Sequence, residues 1–412
     1  MNAQPLFSRR DFCKATGACF LVGVCAGSEL AFPLTASRKP TGTLDLVAID
    51  RARILSAAQH YLKESPIPIT ASTSSRSAGG KHDYFSEADY YWPDPKNPDG
   101  PYIQIDGLSN PNNFLDHRRF LMRLSLQVPA LTAAWRITGE QKYAAHAARH
   151  LRAWFVNLDT RMNPNLQYAQ ATRGSATGAR FGIIDTVHLV EVTRAIEVLE
   201  DSAALSKNEL DDIKSWFADY LQWLTTHPFG IEELDAKNNH STCYVMQVAS
   251  FAHLTQNQDL SAYARQRFKA VLIPDQMASD GSFPLEINRT KPYGYSLFNL
   301  DAMATICQIL STPEDNLWTF QLPDGRGIGK GVAFMVPYIR DKKSWPHPPD
   351  VMYDKEWPMR HPALLFAGRA LDRPDYIDLW KTLPADSNVE EVLRNFFIRQ
   401  PVLWVETPSR TI

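Results

Sequence analysis

Three polar residues in a row, Asn238, Asn239 and His240, stand directly ahead of a run of apolar residues at helical spacing. Asparagine is a favoured residue at the N-terminus of a helix, so a helix cap with an adjacent histidine is one interpretation. A carboxylate site is the other, because amide and imidazole donors at the positive end of a helix attract an anion. The three residues alone do not decide between a cap and a site.

A second group of reactive residues begins with Arg289 and ends with Tyr295, across a segment that contains Pro292 and Gly294. The pKa of an unperturbed tyrosine is about 10, which makes it a poor base at neutral pH. A neighbouring guanidinium favours the phenolate and lowers that pKa, so Arg289 and Tyr295 are a candidate activator and base. The alternative is that Tyr293 and Tyr295 are loop aromatics that pack on the core.

Together the two groups suit a β-elimination on a uronic acid. Donors from Asn239 and His240 would neutralise the carboxylate and so stabilise the enolate-like transition state. Tyr295 would remove the C5 proton and return it to the departing O4 oxygen. One residue does both only in a syn elimination, and in an anti elimination His240 is the natural base. The sequence has no metal-ligand spacing and no glycine-rich phosphate loop, so we predict chemistry without a metal or a cofactor.

The elements that position these residues are predicted to be helices. Apolar residues recur at i, i+3, i+4 and i+7 in successive segments from 46–64 to 389–397, and alternating strand patterns are scarce. Many helices of similar length in succession suggest helix pairs packed into a ring. In such a ring, loops at one end of the helix pairs converge over a central cleft.

Long irregular segments at 79–113, 160–180 and 285–296 are predicted to form this cleft, because loops of such length usually have a role that offsets their ordering entropy. Candidate substrate-binding residues in or beside the loops are His82, Tyr91, Trp92, Tyr168, Gln170, Arg173, Lys237 and Tyr293. The alternative is that some of these side chains brace the loops or fill the core. Glu286 is a further candidate, for orienting Arg289.

The composition narrows the class of partner. The net charge is −2, which gives no electrostatic attraction to nucleic acid or to an anionic membrane surface. Charged residues make up 21% and hydrophobic residues 44%, as in a folded globular protein. Ten Trp, 15 Tyr and 20 Phe supply rings that stack on sugars. Because the two motifs suit a uronic acid, we predict an anionic polysaccharide as the partner. We also expect a monomeric protein.

Residues 1–36 are predicted to be a twin-arginine export signal, and residues 37–412 a single domain. Arg9 and Arg10 precede an apolar run at 18–27 and a stretch with small residues near position 36. Because the apolar run is short for a membrane span, we expect a periplasmic or secreted protein without stable membrane insertion. Removal of the signal leaves only Cys243 and Cys307, too few for a disulfide framework.

Five motifs, in this order along the chain, resemble the alginate lyase superfamily of polysaccharide lyases. They are HDYFSEADYYWPDP (82–95), TRMNPNLQYAQ (160–170), FGIIDTVHL (181–189), AKNNHSTCY (236–244) and PLEINRTKPYGYSLFNLDAM (284–303). The resemblance implies an all-α fold, a single (α/α) toroid or incomplete α/α barrel with long loops over a central cleft. It also implies that Asn239 and His240 neutralise the substrate carboxylate, that Arg289 is the site arginine, and that Tyr295 is the catalytic tyrosine.

The segment from Arg289 to Tyr295 departs from part of this family. It is one residue shorter than in the mannuronan-cleaving alginate lyases and resembles the version in relatives that include glucuronan lyases. The expected substrate is therefore a polyuronate, either alginate (mannuronan) or glucuronan, cleaved to give a 4,5-unsaturated uronate end.

Two functions of other classes stay open. A glycoside hydrolase on a similar toroid would use paired carboxylates, for which Glu233, Asp235 and Glu286 are the candidates near the motifs. A non-catalytic polysaccharide-binding protein would keep the aromatic and basic residues of the loops. It would not need an asparagine, a histidine and a tyrosine at one place.

Overall fold

The structure, a computed structural model, describes residues 44–405, and helices account for most of them. The helices are α1 (Leu46–Tyr61), α2 (Asp116–Thr138), α3 (Gln141–Leu151), α4 (Leu189–Leu199), α5 (Lys207–Thr226), α6 (Pro228–Leu234), α7 (Asn239–Leu254), α8 (Gln258–Arg267), α9 (Ile273–Gln276), α10 (Pro284–Ile287), α11 (Pro292–Leu310), α12 (Ile328–Arg340), α13 (Pro362–Ala370), α14 (Pro374–Thr382), α15 (Glu390–Asn395) and α16 (Pro401–Trp404). Within 44–405, no helix is both long and apolar enough to cross a membrane. The predicted export signal, residues 1–36, lies outside the described residues.

The helices form two layers. In the inner layer α2, α4, α7, α11 and α13 follow one another, each packed against the next. In the outer layer α3 packs on α2, α5 and α8 on α7, α12 on α11, and α14 on α13. The C-terminal α16 packs against α1, α2 and α4. This arrangement is an incomplete (α/α) toroid, and the predicted all-α fold is confirmed.

The inner helices α7 and α11 are buried along almost their whole length. Every residue of α7 is buried except His240 and His253, one near each end. In α11 only Gly294, Gln308 and Ile309 are not buried, and these too lie towards the ends. A helix that is apolar or satisfied on all sides belongs in an interior, so only its end turns can present side chains to a ligand.

Local sequence explains where the helices of the site begin. Asn238 precedes α7, and its Oδ1 accepts a hydrogen bond from the backbone N–H of His240 at 3.4 Å. Pro292 begins α11, where its fixed φ suits the first turn. Gly230 lets α6 fold back on α5, because a Cβ at this position would lie 1.8 Å from the carbonyl oxygen of Leu224.

Short strands join the irregular segments to one another. β1 (Phe85–Glu87) pairs in parallel with β4 (Tyr168–Ala171), and β2 (Tyr91–Trp92) pairs antiparallel with β3 (Ile103–Gln104). The first pair ties the loop at 79–113 to the loop at 160–180. These loops therefore form one wall beside the N-terminal ends of the inner helices.

Candidate active site

A cleft of about 720 Å³ lies between the loop wall and the N-terminal ends of α7 and α11. Asn239, His240, Arg289 and Tyr295 all line it. The two motifs that the sequence analysis singled out are thus brought to one place, although about fifty residues separate them. The N-terminus of α7 faces the cleft, and the helix dipole gives this end a positive potential.

Asn239 is held by a buried carboxylate. Its backbone N–H and its Nδ2 each donate to Glu286, to Oε1 and Oε2 respectively, both at 2.6 Å. Burial raises the pKa of Glu286, and the two donors of Asn239 oppose that rise. Glu286 was a candidate for orienting Arg289, but the hydrogen bonds of its side chain go to Asn239. The second proton on Nδ2 is left for a ligand in the cleft.

His240 is held in the same manner by a second buried carboxylate. Its Nδ1 lies 2.5 Å from Oε1 of Glu233, whose side chain is 1% exposed. The other oxygen of Glu233 accepts from NH1 of Arg180 at 2.6 Å. The Nε2 of His240 is consequently the ring nitrogen available to the cleft.

Arg289 and Tyr295 are in direct contact. The guanidinium lies 3.9 Å from the centroid of the Tyr295 ring, and its NH2 donates to Oδ1 of Asp106 at 2.6 Å. That partner holds the arginine in place, and Arg289 in turn keeps the pKa of Asp106 below its ordinary value in spite of burial.

The protonation of Tyr295 differs from the expectation. Burial is the largest influence and raises the pKa of Tyr295 above its ordinary value, while Arg289 and the hydroxyl of Tyr90 offset only part of that rise. The two phenol oxygens lie 2.9 Å apart. Arg289 does lower the pKa of Tyr295, as its proximity in the sequence predicts, but the burial of the ring outweighs this effect.

Tyr90 and Asp106 are site residues that sequence reasoning missed. Both belong to the loop at 79–113, whose length marked it as functional, and Tyr90 directly precedes the predicted Tyr91. Lys291 lies 5.3 Å from the centroid of the Tyr90 ring and pairs with Glu391 at 2.8 Å. These contacts hold Tyr90 over Tyr295, and nothing in the local sequence predicts a pairing across some two hundred residues.

Two of the predicted substrate-binding residues line the cleft. The ring of Tyr91 stacks on Phe181 with centroids 6.3 Å apart and an interplanar angle of 8°. Gln170 donates from Nε2 to Asp185 at 2.8 Å and is buried. Tyr91 and Phe181 together give the cleft a flat aromatic wall, which is a surface that sugar rings can stack on.

The other predicted substrate-binding residues lie outside the lining of the cleft; they are His82, Trp92, Tyr168, Arg173, Lys237 and Tyr293. Most are engaged in holding the loops and helices. Arg173 pairs with Glu87 at 2.7 Å, and Trp92 donates to the carbonyl of Leu108 at 2.8 Å. Tyr293 donates to the carbonyl of Tyr338 at 3.1 Å.

The carboxylates considered for a glycoside hydrolase are placed behind the cleft or away from it. Glu233 and Glu286 are each 1% exposed and hold His240 and Asn239, and neither lines the cleft. Asp235 pairs with Arg267 at 2.9 Å. Glu233 and Glu286 thus hold the two donors and do not form a carboxylate pair that faces the cleft.

A helical toroid with paired amide and imidazole donors, an arginine and a tyrosine over one cleft defines a polysaccharide lyase. The model of the alginate lyase family matches residues 69–345. An alginate lyase from Bacteroides ovatus, known as a crystal structure, is 33% identical, with a TM-score of 0.75 over 84% of this chain and 93% of that chain. The chain therefore belongs to the alginate lyase family.

A more distant structure shares the fold. It is a histidine-to-alanine variant of alginate lyase A1-III in complex with a tetrasaccharide, 13% identical, with a TM-score of 0.54 over 86% of this chain and 94% of that chain. No curated protein matched this chain.

Proposed function

We propose that the protein cleaves a polyuronate, alginate or glucuronan, by β-elimination and leaves a 4,5-unsaturated uronate at the new end. The observation that carries this proposal is the convergence of Asn239, His240, Arg289 and Tyr295 on one cleft. The name of the 33% identical relative, an alginate lyase, supports a polyuronate as the substrate class.

The carboxylate of the substrate is placed at the N-terminus of α7. There Nδ2 of Asn239 and Nε2 of His240 are the donors, and the helix adds its own positive potential. The C5 proton of a uronate is weakly acidic because its removal puts more negative charge on the carboxylate. Donors that are already oriented stabilise this charge without having to reorganise, and thus favour the transition state.

Tyr295 is the proposed base and acid. As the phenolate it takes the C5 proton, the C4–O4 bond breaks while the C4–C5 double bond forms, and the phenol returns the proton to O4. The phenolate is thereby regenerated for the next cycle. Arg289 and the hydroxyl of Tyr90 are the two groups that stabilise the phenolate against the effect of burial. This is a syn elimination, for which β-mannuronate and β-glucuronate both have H5 and O4 on one face.

The test is to incubate the purified protein with mannuronan, guluronan, glucuronan and other uronate polymers and to follow the ultraviolet absorbance. A lyase produces a conjugated unsaturated uronate that absorbs, whereas a hydrolase or a binding protein does not. A rise with mannuronan or glucuronan is the expected result. The proposal fails if none of these polymers gives an absorbance rise, and a release of reducing ends without absorbance would instead support a glycoside hydrolase.

We also propose that the protein is exported by the twin-arginine route and acts in the periplasm or outside the cell. The pattern around Arg9 and Arg10 supports this proposal. Replacing both arginines by lysine should retain the full-length protein in the cytoplasm, as measured by cell fractionation and immunoblotting. Unchanged export of the double variant would contradict this route.

A further inference from the structure

We propose that Glu233 is a positioning residue that keeps a proton on Nδ1 of His240, so that Nε2 meets the substrate carboxylate as part of an imidazolium. Arg180 binds one carboxylate oxygen of Glu233 and leaves the other oxygen for His240. The inference rests on the proposed function, because it assigns a charge to one member of the carboxylate clamp. It concerns a residue that does not line the cleft.

Glu233 is buried between two side chains that both line the cleft, His240 and Arg180. Oε1 of Glu233 lies 2.5 Å from Nδ1 of His240, and Oε2 accepts from NH1 of Arg180 at 2.6 Å. Glu233 is 1% exposed, whereas the side chains of His240 and Arg180 are 21% and 39% exposed. A buried carboxylate with a partner on each oxygen favours one arrangement of both partners.

The hydrogen-bonding capacity of each group determines where the protons are. A carboxylate only accepts and a guanidinium only donates, so the contact with Glu233 requires a proton on Nδ1 of His240. Nε2 can then donate to a substrate carboxylate only if it carries a second proton. His240 in the occupied site is therefore an imidazolium between two carboxylates, one from Glu233 and one from the substrate.

The charges of this arrangement balance. Arg180 and imidazolium contribute +2 and Glu233 −1, so the three groups together carry +1, which the substrate carboxylate neutralises. Glu286 interacts electrostatically with both His240 and Arg289, so a second cation opposes the charge of this carboxylate. The elimination adds negative charge to the substrate carboxyl group. A positive charge on His240 thus stabilises the transition state more than it stabilises the bound substrate.

Glu233→Gln is the most informative variant, because Arg180 determines the orientation of the new amide. Arg180 can only donate, so the oxygen of the new amide must turn toward it and the NH2 group must face Nδ1 of His240. The imidazole then accepts at Nδ1 and carries its proton on Nε2. It still donates to a substrate carboxylate, but as a neutral ring. We expect kcat to fall on the order of 10²-fold while KM changes little.

The tautomer of His240 is read directly by ¹⁵N NMR of histidine-labelled protein without substrate. The chain has 11 histidines, so the His240 signals are assigned as those missing in His240→Gln. We expect Nδ1 to be protonated in the wild type and unprotonated in Glu233→Gln. In the double variant Arg180→Met with Glu233→Gln, the amide is free to turn its oxygen to His240. The Nδ1 proton should then return, which a merely structural effect of the substitution would not produce.

A matched control lies at the other end of α7. There Nδ1 of His253 lies 2.6 Å from Oε1 of Glu197, and NH1 of Arg194 lies 2.8 Å from Oε2. Glu197→Gln makes the same chemical change in the same kind of triad, about 20 Å from His240, since a helix rises about 1.5 Å per residue. We expect it to leave kcat, KM and the His240 signals unchanged.

The outcomes separate this inference from the proposed function. A proton that stays on Nδ1 in Glu233→Gln, or a switched tautomer with wild-type kcat, overturns the inference and leaves the lyase assignment intact. If the wild type has no lyase activity on any polyuronate, the proposed function is refuted, and so is the effect of Glu233 on kcat. The tautomer of His240 can still be compared, because that measurement needs no substrate.

Discussion

The two ends of α7 carry the same set of side chains and have different surroundings. At the N-terminal end His240 contacts Glu233, which also binds Arg180, and at the C-terminal end His253 contacts Glu197, which also binds Arg194. His240 and His253 are the two residues of the helix that are not buried. Each end faces a cavity, of about 720 Å³ at the N-terminus and about 510 Å³ at the C-terminus.

The difference between the ends is the direction of the backbone. The helix dipole of α7 is positive at the N-terminus and negative at the C-terminus. A cation therefore adds to a positive potential at the N-terminus and cancels a negative potential at the C-terminus. Asn239, Arg289 and Tyr295 accompany His240, while Gln308, Trp318 and Trp404 are among the residues that accompany His253. An Arg–Glu–His triad therefore does not by itself make an anion-binding site. Its suitability for an anion depends on the helix terminus beside it and on the neighbouring donors.

The largest expected effect is the loss of the proposed base. Tyr295→Phe should lower kcat on the order of 10³-fold, because the phenol oxygen is the group that moves the proton. Substrate binding, measured by calorimetry with the polymer that the wild type cleaves, should remain. Tyr293→Phe, on the same helix, removes a hydroxyl that bonds the carbonyl of Tyr338 outside the cleft and should retain most of the activity. Near-normal activity of Tyr295→Phe would require another base.

The next effect compares the two histidines of α7. His240→Ala removes a donor that faces the developing charge, so kcat/KM should fall on the order of 10²- to 10³-fold. His253→Ala removes the corresponding ring at the opposite end and should leave kcat/KM within experimental error. Steady-state assays of both variants test this directly. Equal losses in the two variants would show that the triads support the fold and that the N-terminal one has no special part in catalysis.

The pH dependence of the rate tests the role of burial at Tyr295. Because burial raises the pKa of Tyr295, only a small fraction of this residue is phenolate at neutral pH. That fraction grows as the pH increases, so kcat/KM should rise by up to about tenfold per pH unit through the neutral range. Tyr90→Phe removes a donor to the phenolate and should displace this rise to higher pH. A rate that is independent of pH in both proteins would argue against a tyrosine base.

The smallest expected effect is the contribution of His253 to stability. The hydrogen bond with Glu197 raises the pKa of His253 above 6.5, so the pair stabilises the folded state fully below that value and less as the pH rises through the raised pKa. The pKa of Glu197 is lowered from 4.5, so the stabilisation is also lost in strong acid. Since His253 is half exposed, His253→Gln should cost only about 0.5 kcal/mol in the free energy of unfolding between these limits. Denaturant titrations at pH 5.5 and pH 9 should show the difference at the lower pH alone.

Local sequence was sufficient to place Asn239 and His240 at the N-terminus of a helix, although it left a cap and an anion site as alternatives. It was also sufficient for the all-α fold, since helical spacing is a property of each segment. Local sequence did not predict the hydrogen-bond partners of Glu233 and Glu286. Their partners depend on how α6 and α10 pack beside α7. The sequence offered both only as candidates for a carboxylate pair, and Glu286 also as a candidate for orienting Arg289.

The protonation of Tyr295 shows the same limit. The proximity of an arginine is visible in the sequence, but burial is a property of the whole fold and here outweighs the neighbouring charge. Tyr90 and Asp106 reach the site because short strands fix the loop at 79–113 against the loop at 160–180, which no single segment encodes.

By itself the sequence determined which chemistry this protein has available: amide and imidazole donors before a helix, and an arginine with a tyrosine before another. Only the tertiary structure decided that these groups share a cleft, that two buried glutamates hold the donors, and that the two ends of α7 face different cavities. The physical reason is that residue types and short spacings are set along the chain, whereas burial, potential and pairing are set by the distances between segments that lie far apart in it.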